Sequence, residues 1–102
     1  MVRIQGLDEY DRLDALVRDA VARHELQLDV TGWTRKTYDV YTPTVRSTPG
    51  ELLARIESFA TTSGEVVIFD DRALAFATAV AEALEQEFGI AEASVVKRPR
   101  PG

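Results

Sequence analysis

The single histidine, His24, closes a run of helical periodicity, and the residues three and four positions on are Gln27 and Leu28. A metal site at that spacing needs a second ligand, and a catalytic base needs an adjacent acid or nucleophile. His24 has neither, so it reads as a cation favoured by the negative end of a helix dipole. The pair Asp70-Asp71 stands between an apolar run and a helical one. Two carboxylates at the C-terminal end of a strand suit a divalent metal or an acid pair, but no further oxygen ligands lie at usable spacing. A helix start asks for a carboxylate at the same place, and capping is the stronger reading. There is no cysteine, hence no thiolate ligand, nucleophile or disulfide. Phosphate-loop, dinucleotide, Gly-x-Ser-x-Gly and metalloprotease patterns are absent. No catalytic residue, metal or cofactor is assigned.

Two segments suit binding instead. Arg46-Ser47-Thr48 sets a cation, two hydroxyls and amide groups before an expected helix, the physical recipe for an anion site. Glu51 competes for those amides, so a structural cap is the stronger reading there. Trp33 to Tyr41 carries the only Trp, two of the three Tyr and the adjacent cations Arg35 and Lys36. Strand alternation puts Trp33, Arg35, Thr37, Asp39 and Tyr41 on one face, and Thr34, Lys36, Tyr38, Val40 and Thr42 on the other. The second face is suited to packing on helices, and the first to docking a protein or stacking bases. Lys97, Arg98 and Arg100 would extend a basic stripe if they approached that strand.

Those side chains need a scaffold, and 102 residues suffice for one core. The 45% hydrophobic and 28% charged fractions are those of a globular chain. Net charge is -5, which opposes polyanion approach at long range. It is unevenly spread: Arg35, Lys36 and Arg46 outnumber Asp39 over 31–50, and 93–102 holds three cations and no carboxylate. No apolar run reaches the roughly 20 residues of a membrane span, and Asp8, Glu9 and Asp11 interrupt any leader-like start. A cytoplasmic protein without membrane contact is expected.

Leu7, Tyr10, Leu13, Leu16, Val17, Ala20 and Val21 recur at helical spacing, predicting a helix from Leu7 to His24. Leu26 to Val30 alternates as a strand, and after Thr31-Gly32 the stretch Trp33 to Thr42 is rich in strand formers, predicting a hairpin. Thr48-Pro49-Gly50-Glu51 has the form of a capping box, predicting a second helix with Leu52, Leu53, Ile56, Phe59 and Ala60 buried and Ser63-Gly64 at its end. Val66 to Phe69 suits a central strand buried on both faces, entered and left through helices and hence paired in parallel. A third helix follows Asp70-Asp71, with Leu74, Ala77, Val80, Ala81, Leu84 and Phe88 inward and Gly89-Ile90 as its ending. Ala93 to Lys97 is a last strand.

With an opening strand at Val2 to Gln5, the order becomes that of a ferredoxin-like split βαβ sheet plus an appended helix and strand. The expected fold is α+β, four or five strands with three helices, in one domain over 1–97, with 98–102 an extended basic tail. The functional expectation is a non-enzymatic protein-interaction domain, homodimerising or heteromeric, using Trp33, Arg35, Lys36, Tyr41, Lys97, Arg98 and Arg100. The alternatives are a nucleic-acid-binding or regulatory domain on the same basic residues and a small enzyme whose site is shared between subunits.

Overall fold

The computed structural model describes residues 5–33, 36–57, 65–89 and 93–101, and for 5–10 the backbone alone. Leu13, Val17, Ala20 and Val21 form the buried stripe of helix α1 (Gln5–Arg23), as their spacing predicts; the side chains of Leu7 and Tyr10 lie outside the described set. The helix stops in a Schellman turn, with the Leu26 amide donating to Val21 O at 3.0 Å and the Glu25 amide to Ala22 O at 3.2 Å. Glu25 takes the left-handed conformation, φ 55°, that glycine usually supplies.

An antiparallel meander follows: β1 (Gln27–Thr31), β2 (Thr37–Tyr41), β3 (Leu52–Glu57) and β4 (Glu65–Ile68). Asp70 then caps a short 3-10 turn, its Oδ1 accepting from the Arg72 amide at 2.9 Å, and the turn runs into α2 (Leu74–Phe88). Gly89 ends α2 at φ 65°, while Ile90 lies outside the described residues. Strand β5 (Ser94–Lys97) pairs in parallel with β4. The chain is therefore α+β, with a five-stranded mixed sheet whose spatial order equals its chain order. Two α-helices are seen among the described residues.

The expected helix after Thr48 is the main correction. Leu52–Glu57 is the third strand, and with a strand there the ferredoxin-like order is not formed. Phe59, Ala60, Ser63 and Gly64 lie outside the described residues, as do residues 2–4 of the expected opening strand; Gln5 already belongs to α1. The misleading pattern has a physical origin. Val40 pairs with Ala54 but Tyr41 pairs with Leu52, so Leu53 is an extra residue in β3, a β-bulge. It breaks the alternation and lets Leu53, Ala54 and Ile56 all be buried. Leu52, Leu53 and Ile56 stand at helical spacing, but Leu52, expected to be buried, lies on the opposite side of the sheet from Leu53 and Ile56 and is only partly covered.

The local capping signal is overridden by pairing across the hairpin. The Thr42 amide donates to Glu51 O at 3.0 Å, and the Glu51 amide to Thr42 Oγ1 at 2.8 Å. A Cβ on Gly50 would lie 1.7 Å from Thr42 O, so only glycine admits this approach.

Strand β4 also departs from expectation. It lies fourth of five, antiparallel to β3, and only alternate residues, Val66 and Ile68, are buried. The middle strand is β3. On α2 the inward residues include Phe76, at 1% exposure, while Leu74 is half exposed.

Candidate functional site

Both helices pack on one side of the sheet, against Tyr38, Val40, Ala54, Ile56, Val66 and Ile68. Alternation sends the intervening side chains to the other side, which no described helix covers. The register aligns one row across all five strands there: Asp29, Asp39, Arg55, Val67 and Val96. Beside it, Gln27, Tyr41 and Leu52 align across the first three strands, and Thr31, Thr37 and Glu57 do the same on the other flank.

The row is graded. Arg55 Nε donates to Asp39 Oδ1 at 2.6 Å and Nη2 to Oδ2 at 3.4 Å, the two-point geometry that suits guanidinium and carboxylate. That hydrogen bond raises the Arg55 pKa, against a smaller desolvation effect, and the charges of Asp39 and Glu57 act in the same direction. The guanidinium also stands 5.8 Å from the Phe69 ring centre, a cation-π contact. Asp29 faces Asp39 directly across the strand pair. Among the described residues, neither the Asp29 nor the Glu57 carboxylate has a hydrogen-bond or ion-pair partner. The β1–β3 part of the face thus carries three carboxylates against one guanidinium, while its β4–β5 part presents Val67, Val96 and, beyond the strand end, Phe69, all partly exposed, together with Glu65, whose carboxylate is taken up by Arg98.

The residues singled out from sequence are placed apart. Tyr41 lies on the open face, and Trp33, just beyond β1, is 92% exposed; Arg35 lies outside the described residues. Lys36 belongs to a half-buried network on the helix side. Its Nζ is 3.4 Å from Asp14 Oδ1, which also accepts from Tyr38 OH at 3.1 Å, while Arg18 Nε donates to Oδ2 at 2.7 Å. Burial pushes the Asp14 carboxyl up, but hydrogen bonds from Arg18 and Tyr38 and the charges of Arg18 and Lys36 outweigh it, and its pKa falls below the ordinary value. Burial, together with the Asp14 charge and hydrogen bond, drives the Tyr38 phenol well above its own.

Lys97 and Arg98 sit at the other edge of the sheet, each on a carboxylate, while Arg100 reaches back to the end of β3. Lys97 Nζ lies 2.9 Å from Asp71 Oδ1, and Arg98 Nη2 lies 3.4 Å from Glu65 Oε1. Arg100 Nε donates to Leu52 O at 2.9 Å, and its Nη2 lies 3.3 Å from Asp70 Oδ2 and 3.5 Å from Glu51 Oε2. Three strand spacings, about 14 Å, separate β2 from β5. The stripe expected from Lys36 with Lys97, Arg98 and Arg100 is not assembled.

Asp70, Glu51, Arg72 and Arg100 instead form an ion-pair cluster at that end of the sheet, with Arg72 bound to both carboxylates. Hydrogen bonds from the Arg72 side chain and amide hold the Asp70 carboxyl far below the usual range. Asp70 is therefore a cap and Asp71 a salt-bridge partner. No group of three or more His, Asp or Glu side chains suited to a metal occurs among the described residues.

Arg46, Ser47 and Thr48 do not precede a helix, so the anion site expected there loses its helix N-terminus. Val45 and Thr48 exchange backbone hydrogen bonds of 3.1 and 2.9 Å, and Arg46 and Ser47 both have positive φ, 51° and 69°, as in a two-residue hairpin of the primed kind. The Val45 and Thr48 amides are occupied by the turn.

A furrow of about 380 Å³ runs between the helices on the side away from the sheet, floored by Leu16, Ala20, Val80 and Ala83. At its rim His24 meets the Phe76 ring edge-on at 5.9 Å, and Arg12 lies over Phe88 at 4.7 Å. Arg23 and Asp19 pair with each other there, at 2.9 Å. The furrow brings no set of catalytic groups together.

No described helix is long and apolar enough to cross a membrane. Comparisons with protein-family models, with curated proteins and with solved structures find no match.

Proposed function

We propose that this domain is a protein-binding module that docks its partner on the open face of the sheet. The observation that carries this reading is the row Asp29, Asp39, Arg55, Val67, Val96, flanked by Tyr41, Leu52 and Phe69 and left without a second layer by the described helices. Aromatic and arginine side chains on a rigid, partly apolar surface are the ingredients of binding hot spots. The exposed indole of Trp33 adds an anchor at the β1–β2 end.

Affinity capture tests this with the whole chain, a Trp33→Ala/Tyr41→Ala variant, a Val67→Ser/Val96→Ser variant and Glu82→Lys on the solvent side of α2. The expected result is one defined protein retained by the wild type and Glu82→Lys and lost from both open-face variants. Equal retention by all four chains overturns the reading. Light scattering on the same samples distinguishes a second copy from a different partner.

A further inference from the structure

Resting on the docking reading above, we propose that the partner presents a cationic, amphipathic protein segment, with basic side chains over Asp29 and Glu57 and apolar ones over Val67, Val96 and Phe69. The grading of the face is the ground for this. Asp29 and Asp39 stand opposite each other, and Arg55 is engaged by only one of them, at 2.6 Å. Like charges directly across a strand pair repel. A cation brought to Asp29 and Glu57 would relieve that repulsion and occupy carboxylates that have no hydrogen-bond or ion-pair partner among the described residues. Two strands further on, the same row ends in Val67 and Val96, which gain by losing contact with water.

The grading also argues against a second copy centred on Arg55. Take two copies face to face about a two-fold axis through Arg55. With the axis along the strands, Arg55 meets Arg55 while Asp29 and Asp39 lie over Val96 and Val67. With the axis along the row, carboxylate meets carboxylate. Neither arrangement is complementary, whereas a segment with one basic and one apolar end matches the row in a single direction. From β1 to β5 the row spans four strand spacings, about 19 Å, the length of a helix of about 13 residues. The net charge of -5 speeds the approach of a cation over long range, and contacts at the acidic end set orientation. A nucleic-acid backbone would bring phosphates onto those same carboxylates, while Lys97, Arg98 and Arg100 are held by acids of the chain itself.

Fluorescence anisotropy with labelled synthetic peptides tests the proposal on the full chain. The peptides share a leucine stripe at helical spacing over about 14 residues and carry Lys, Glu or Ser at their polar positions. The Lys peptide is expected to bind, and the Glu peptide to show no binding. Affinity for the Lys peptide should fall at least ten-fold on Asp29→Lys/Glu57→Lys and on Val67→Ser/Val96→Ser, and less than two-fold on Glu82→Lys. Asp29→Lys alone, at an exposed edge position, carries the charge test if the double variant fails to fold by circular dichroism. The proposal is overturned if the Lys peptide does not bind at millimolar concentration or the Glu peptide binds as tightly. It is also overturned if Glu82→Lys weakens binding as much as the open-face charge reversal, or if single-stranded DNA displaces the Lys peptide from the face. Loss of Lys-peptide binding on the valine pair but not on charge reversal would remove this partner chemistry and leave the docking reading standing. Unchanged binding on the valine pair, together with equal retention in the capture experiment, would remove both.

Discussion

The two faces of the sheet are made by the same five strands, one residue out of phase, and they are built differently. On the helix side Tyr38, Val40, Ala54, Ile56 and Val66 are each no more than 1% exposed, and the polar groups gather at the margin around Asp14. On the open side charge runs through the middle, with Arg55 and Asp39 on neighbouring strands, Tyr41 and Leu52 beside them, and Val67 and Val96 toward β5. Successive residues of one strand therefore answer to different constraints: Tyr38 and Val40 hold the fold, Asp39 anchors Arg55 on the opposite face, and Tyr41 lies beside them, partly exposed. Substitutions on the two faces should separate stability from binding.

The largest contrast is between Phe76→Ala and Val67→Ser. Removing the buried ring should cost about 3–5 kcal/mol, whereas the open-face change should cost no more than about 1 kcal/mol and act on binding. Urea titrations of both variants measure this, and a similar loss for each would break the distinction between the faces. Next comes Gly50→Ala, which drives a methyl group into Thr42 O and should destabilise by about 1–3 kcal/mol. Because Gly50 lies just before the bulge that brings Leu53 inward, the core signals in an NMR spectrum should shift more than those of Val67 and Val96.

The margin of the covered face should be visible in the pH dependence. Tyr38→Phe removes the hydrogen bond to Asp14 and should cost about 1 kcal/mol. The folded-state pKa of Asp14 is lowered, so its contribution is present above the unfolded value, about pH 4, and is lost as the pH falls through the lower folded value. The Tyr38 pKa is raised, so its contribution is present below the unfolded value, about pH 10, and is lost as the pH rises further. Thermal melts across pH should lose the alkaline component in Tyr38→Phe and the acid one in Asp14→Asn. The smallest effect is expected for Asp29→Lys. It replaces a repulsive cross-strand pair with an attractive one and should stabilise by about 0.5 kcal/mol. Binding weakened in a chain whose melting temperature has risen could not be attributed to unfolding.

Both helices were legible in the sequence because periodicity and caps are local: Leu13 to Val21 spells out one stripe, and Asp70 and Gly89 bracket the other helix. The alternation of β2 likewise assigned Tyr38 and Tyr41 to opposite faces. β3 was not legible, since Leu52, Leu53 and Ile56 stand at helical spacing while the bulge at Leu53 hides the alternation of a strand, and Thr48-Pro49-Gly50-Glu51 reinforces the helical look. With β3 read as a helix, Arg55 had no reason to meet Asp39, and Val67 had no open face to lie on. Three of the five residues in the central row, Arg55, Val67 and Val96, depended on pairings that no local pattern reveals. The destination of the tail was hidden for the same reason: Asp70 and Glu51, thirty and forty-nine residues before Arg100, become its neighbours only once the sheet exists.

The coincidence of spatial and chain order bears on how the sheet assembles. Each strand pairs with its predecessor, so every pairing closes a short loop, and no strand must enter between two that have already joined. Loop-closure entropy is therefore met in small steps, and the low sequence separation within the meander favours rapid folding for a protein with so much sheet. The exception is the step from β4 to β5, which must wait for α2 to cross over. The parallel edge is the last piece of the sheet that this route can complete.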